Sequence, residues 1–161
     1  MKNLLMVSDK VFWDAAAPGT PTEGISEFLS FLRENQIRTG VISNISYGGK
    51  SVEKRIQECI PEHEFEFIIA SSEYLYRKPN PHIYEVALEK ADLKPEEVWY
   101  VGDQYKCDIV GARNACIFPV WYIGAIDLAY EPDESVLTIK RWDKLKWYIQ
   151  NISEYEGELF E

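Results

Sequence analysis

The apolar positions of this chain switch period again and again. Short, nearly continuous apolar runs stand at residues 3–8 (NLLMVS), 39–43 (TGVIS), 66–70 (EFIIA), 98–101 (VWYV) and 118–123 (FPVWYI). Runs of that length, rich in β-branched and aromatic residues, predict five buried strands. The segments between them carry helical spacing. Residues 23–35 place Ile25, Phe28, Leu29 and Leu32 on one face, and residues 50–60 do the same with Val52, Ile56, Cys59 and Ile60 before Pro61 ends the pattern. Residues 81–91 repeat it with Ile83, Val86, Ala87 and Lys90 behind a proline in the first turn, and residues 107–115 form a fourth helical segment. A short extended run at 136–139 and an amphipathic helix from about Asp143 to Ile152 close the pattern. Strand and helix in alternation predict an α/β fold, a parallel sheet with helices on both faces.

Ligand sites of such sheets lie at the carboxyl ends of the strands. The residues just past each predicted strand are polar: Ser8 and Asp9, Ser43 and Asn44, Ser71 and Ser72, Gly102 and Asp103. The run WYVGDQYKCD adds a second carboxylate, Asp108, where a helix begins. Carboxylates at the end of a core strand require a cation, a proton or hydrogen-bond donors. A purely structural account also exists: Asp103 ends a strand and Asp108 complements a helix N-terminus.

Bulk properties narrow the partners. A length of 161 residues suits one domain, residues 1–161, with a real core. The formal net charge of −10 disfavours nucleic acid and anionic membrane surfaces. Three cysteines, Cys59, Cys107 and Cys116, form no CxxC pair, which argues against a disulfide scaffold or a zinc site and for reduced thiols in a cytoplasmic protein. No apolar run reaches membrane-spanning length, and the apolar stretch at the N-terminus is too short for a signal peptide. A near-match to the P-loop pattern in SNISYGGKS fails, because Asn44 stands where the first glycine is required.

Three motifs in order carry more information than any one residue. They are GVISN with Ser43, RKPNPHIYEVAL with Lys78, and VWYVGDQYKCDIVGARNA with its GDxxxxD spacing and GAxxA continuation. From about Ile25 to Ala125 the chain resembles the haloacid dehalogenase (HAD) superfamily. The resemblance implies a three-layer, doubly wound Rossmann-like fold with a five-stranded parallel sheet in the order 5-4-1-2-3. It implies Mg²⁺-dependent hydrolysis of phosphate esters through an aspartyl nucleophile, with a phosphorylated substrate whose identity the motifs do not name. By the same resemblance Asp103 would be a magnesium ligand, and Asp108 would support the metal or its waters. Ser43 through its hydroxyl and Asn44 through its backbone N–H would bind the phosphoryl group. Lys78 would neutralise charge on the phosphate and the nucleophile. Gly111 and Ala112 would let their helix pack closely on the sheet.

The first motif of the superfamily, DxDx[TV], is degenerate here. In LLMVSDKVFWD, Asp9 occupies the nucleophile position and would also be a metal ligand, but Val11 stands where the second Asp, the general acid and base, belongs. Aligned on VFWD, the segment looks like a motif that has lost Asp-Gly between Lys10 and Val11. In a second reading VFWDAAAPGTPTEGI resembles the end of a helical cap, and residues 1–17 are a cap-helix remnant of a chain lacking its first strand. That would leave two neighbouring strands with unpaired buried edges, which favours the strand reading. Neither reading leaves room for a cap domain, so the site is expected to be open, suited to a macromolecular phosphate or to shielding by a second copy of the chain. The expected function is a phosphohydrolase core with weak or lost activity. The alternative is a non-catalytic binding or interaction protein, with Trp142, Leu145, Trp147, Tyr148 and Ile149 as a docking face.

Overall fold

The structure, a computed structural model, describes residues 19–125 and 135–151. The expected first strand at 3–8, Asp9, and the question of a cap-helix remnant lie outside the described residues. Helix α1 (Ile25–Glu34) follows Gly24, whose φ of 80° is one that a residue with a side chain rarely adopts. Its buried face, Phe28, Leu29, Phe31 and Leu32, matches the apolar spacing. Strand β1 (Val41–Ser43), helix α2 (Gly49–Cys59), strand β2 (Ile68–Ala70) and helix α3 (Pro81–Ala91) follow in alternation. The start of α3 is set by its sequence. The Asn80 side chain accepts a hydrogen bond from the His82 N–H, and Pro81 occupies the first turn, where no N–H is needed. Strand β3 (Trp99–Gly102), helix α4 (Val110–Asn114), strands β4 (Phe118–Tyr122) and β5 (Leu137–Ile139) and helix α5 (Trp142–Gln150) complete the described chain.

Every described strand pairing is parallel. β1 pairs with β2, Ser43 opposite Ala70, and β3–β4–β5 form a second sheet with Val101 opposite Val120 and Tyr122 opposite Ile139. The neighbours expected on either side of the first strand in the order 5-4-1-2-3 are therefore present, and the expected first strand itself lies outside the described residues. The extended run near the C-terminus is a true strand, β5, which extends the sheet past the expected edge at β4.

Side-chain alternation along β3 and β4 explains the two-faced core. Trp99 and Val101 on β3 pack with Val120 and Tyr122 on β4, beneath Phe28 and Leu32 of α1 and Leu145 of α5. Tyr100 faces the other way, into the layer formed by Ile83 and Tyr84 of α3 and Ala112 of α4. The apolar stripe of α5 serves mainly this core. Leu145 is buried, and Trp142 stacks on Tyr122 and Phe28 with ring centroids 4.3 and 5.3 Å away.

One predicted helix differs in form. Residues 107–115 do not make a single α-helix: a π-helical turn, Tyr105–Ile109, precedes α4. The Asp108 carboxylate folds back to accept from the Gln104 N–H at 2.9 Å and from Lys78 across the sheet end, which widens the turn that carries it. No described helix is long and apolar enough to cross a membrane.

Candidate functional site

The carboxyl ends of β1 and β3 are joined by Lys78. Its ammonium donates to Asp108 Oδ1 at 2.6 Å and to the Tyr100 hydroxyl at 2.8 Å. The pair is well shielded, with side-chain exposures of 11% for Lys78 and 3% for Asp108. Buried charges persist only when paired and hydrogen-bonded, and both conditions hold. Asp108 Oδ1 also lies 3.3 Å from the Tyr100 hydroxyl, and Oδ2 takes the Gln104 N–H. Burial, and then the charge of Asp108, push the Tyr100 phenol well above its ordinary pKa, so it stays protonated.

The backbone of Lys78 is fixed from the other side. Asn44 Nδ2 donates to the Lys78 carbonyl and Asn44 Oδ1 accepts from the Lys78 N–H, both at 2.8 Å. Asn44 directly follows β1, so this two-way bond brings Ser43, the last residue of that strand, to the lysine. The loop after β1 is further tied to the end of β2. Ser71 Oγ accepts from the Ile45 N–H at 3.0 Å, Ser72 Oγ donates to the Tyr47 carbonyl, and Glu73 accepts from the Gly49 N–H.

The half-buried Ser43 hydroxyl and the exposed Asp103 carboxylate make no hydrogen bond to any described residue. Asp103 is held by its backbone, whose carbonyl accepts from Trp121 Nε1 at 3.0 Å. Asn44, Lys78, Tyr100 and Asp108 are thus linked into one network, while Ser43 directly precedes Asn44 in the chain and Asp103 follows the end of β3. Asp9 lies outside the described residues.

Gly102 shows why the motif begins with glycine. A Cβ at that position would collide with the Asp108 carboxylate. Gly111 stands in the same relation to the Tyr84 ring, whose hydroxyl donates to the Cys107 carbonyl at 2.7 Å. Gly102→Ala is expected to lose about 1–3 kcal/mol of stability by overpacking, read from the urea midpoint at unchanged slope. A shift too small to resolve would show that Asp108 has room to move.

The donor set bears on the choice of metal. Among the described residues no three His, Cys, Asp or Glu side chains cluster as a metal-binding group. One unengaged carboxylate beside solvent does not suit zinc or calcium, which need fuller protein cages. It fits magnesium, which takes one or two carboxylates and keeps several waters.

The motifs pointed to Ser43, Asn44, Lys78, Asp103 and Asp108, but not to Tyr100 or to the bracing role of the Asn44 side chain. The one signal for Tyr100 was a phenol inside an otherwise apolar strand. His63 and His82 take no part in the network. His63 bonds Thr39, and His82 pairs with Glu85.

Comparison with known proteins bears on the family and the fold. The family model described as haloacid dehalogenase-like hydrolase matches residues 14–121. The chain is 38% identical over 95 residues to glyceraldehyde 3-phosphate phosphatase of Methanothermobacter thermautotrophicus, a match covering 59% of this chain and 41% of that one. It is 29% identical over 114 residues to haloacid dehalogenase-like hydrolase domain-containing protein 3 of Mus musculus, covering 66% and 42%. The chain thus spans well under half the length of these two relatives. The crystal structure of a HAD-superfamily hydrolase from Ehrlichia chaffeensis superimposes with a TM-score of 0.67 at 25% identity, over 85% of this chain and 63% of that one.

Proposed function

The chain belongs to the haloacid dehalogenase-like hydrolase family, and from that premise we propose that it is the core of a magnesium-dependent phosphohydrolase whose turnover is weak or lost. The observation that supports this most is the Lys78 ammonium, fixed between Asp108 and Tyr100 while its backbone is tied to the loop after Ser43. A cation held so firmly at the end of the sheet suits an anionic group with several oxygens.

In this reading Asp9 attacks the phosphorus of a phosphate ester. A carboxylate needs no deprotonation at neutral pH, so the missing second Asp does not prevent attack. The bond from phosphorus to the ester oxygen breaks, and the leaving oxygen departs with the electron pair. Val11 cannot protonate it, so leaving groups that are stable as anions are favoured. The Ser43 hydroxyl and the Asn44 backbone N–H would hold two phosphoryl oxygens, and Lys78 would stabilise the charge. Water then hydrolyses the phosphoaspartate slowly, for want of a base, and returns Asp9. Asp103, with Asp9, would hold magnesium while Asp108 supports the metal or its waters, and the ion when bound would neutralise phosphoryl charge. The free thiols at Cys59, Cys107 and Cys116 support a reducing, cytoplasmic setting.

Isothermal titration with magnesium chloride tests the metal. Weak binding to the chain and none to Asp103→Asn is the expected result. Equal binding by both would make the carboxylates structural and would leave a non-catalytic binding protein as the better account.

A further inference from the structure

We propose that Tyr100 is a positioning residue for Lys78, its hydroxyl taking one of the three ammonium donors so that, with Asp108 taking a second, a single donor is left for a phosphoryl oxygen. The anion in this statement rests on the phosphohydrolase reading; the hydrogen bonds do not.

A lysine ammonium carries three donors and no acceptor. Two of them meet the Tyr100 hydroxyl at 2.8 Å and Asp108 Oδ1 at 2.6 Å, and no described residue takes the third. Tyr100 and Asp108 approach each other at 3.3 Å, so the ammonium sits on a closed triangle rather than on a single partner. The ammonium also lies 5.4 Å from the centre of the Tyr100 ring. A lysine stem is long and flexible, and with one partner the ammonium could swing about it. With two partners its remaining donor has one direction.

Tyr100 is itself rigid. Its ring meets Tyr84 edge-on at 4.9 Å, and Tyr84 is anchored through its hydroxyl to the carbonyl of Cys107, next to Asp108. The strand face that carries Tyr100 is otherwise lined by Ile42, Ile83 and Ala112, where phenylalanine would serve the packing equally well. The hydroxyl has Lys78 and Asp108 as its hydrogen-bond partners, so its role lies with them and not with the core.

The test compares the full chain with Tyr100→Phe, which keeps the ring and removes only the hydroxyl. The first readout is the ¹H–¹⁵N signal of the Lys78 ammonium at low temperature, assigned by its absence from Lys78→Arg. The chain should show a slowly exchanging signal for Lys78, unlike exposed lysines such as Lys50, and Tyr100→Phe should lose it. The second readout is calorimetric affinity for inorganic phosphate in magnesium, expected to be about five- to tenfold weaker in Tyr100→Phe, the size of one ordinary hydrogen bond. A Lys78 signal unchanged by the substitution, together with equal phosphate affinity, would overturn the proposal. So would the absence of a protected Lys78 signal in the unaltered chain, a result that does not depend on how the variant folds. If the unaltered chain binds no phosphate, the phosphohydrolase reading and the phosphoryl part of this proposal fail, and the ammonium signal alone decides the role of Tyr100.

Discussion

Inserting Asp-Gly between Lys10 and Val11 should raise magnesium-dependent turnover by about 10²–10⁴, the usual range for a general acid and base. The inserted sequence reads DKDGV and restores a carboxylate two residues after Asp9. The gain should be greatest for alkyl phosphates, whose leaving groups need a proton, and smallest for activated aryl phosphates, which the unaltered chain should already favour. It should vanish on Asp9→Asn. Phosphoaspartate, expected to accumulate on the unaltered chain, should become short-lived once its attacking water has a base. Strong turnover of alkyl phosphates by the unaltered chain would mean that another residue supplies the proton. No gain from the insertion, with residues 3–14 found helical, would favour the cap-helix reading and a chain without a nucleophile.

Lys78→Met should lower the unfolding free energy by about 3–5 kcal/mol, the range for breaking one side of a buried ion pair. The size follows from what is left behind. Asp108, 2% exposed, would keep the Gln104 N–H and the Tyr100 hydroxyl but no counter-charge. The double variant Lys78→Met/Asp108→Asn should recover part of the loss, because the stranded charge is gone and the two sites are in contact. Urea unfolding of the unaltered chain, Lys78→Met, Asp108→Asn and the double variant measures both terms. A loss under about 1 kcal/mol for Lys78→Met would place the pair in the class of solvated surface bridges.

The fold was legible wherever one local rule acted alone. The apolar face of α1 and the Asn80–Pro81 start of α3 depend on spacing and capping within their own segments. The π turn at 105–109 was not legible, because the carboxylate that shapes it is drawn toward a lysine 30 residues earlier in the chain. The pairing of β5 with β4 was equally hidden, since three apolar-polar-apolar residues do not say whether a neighbour waits for them. At the site, motif order named the residues but not their connections. Nothing in GVISN says that the Asn44 side chain will clasp the Lys78 backbone, and a tyrosine in VWYV looks like packing until its hydroxyl is seen beside an ammonium. Such contacts join segments 22 to 34 positions apart, beyond the reach of periodicity.

The central expectation is that Ser43, Lys78 and Asp103 serve one phosphate site. A crystal structure of the chain grown with saturating magnesium and inorganic phosphate tests it most directly. The prediction is a phosphate within hydrogen-bond distance of Ser43 Oγ and Lys78 Nζ, with magnesium on the Asp103 carboxylate. A phosphate bound elsewhere, or no anion at these residues while Lys78 remains on Asp108 and Tyr100, would contradict it.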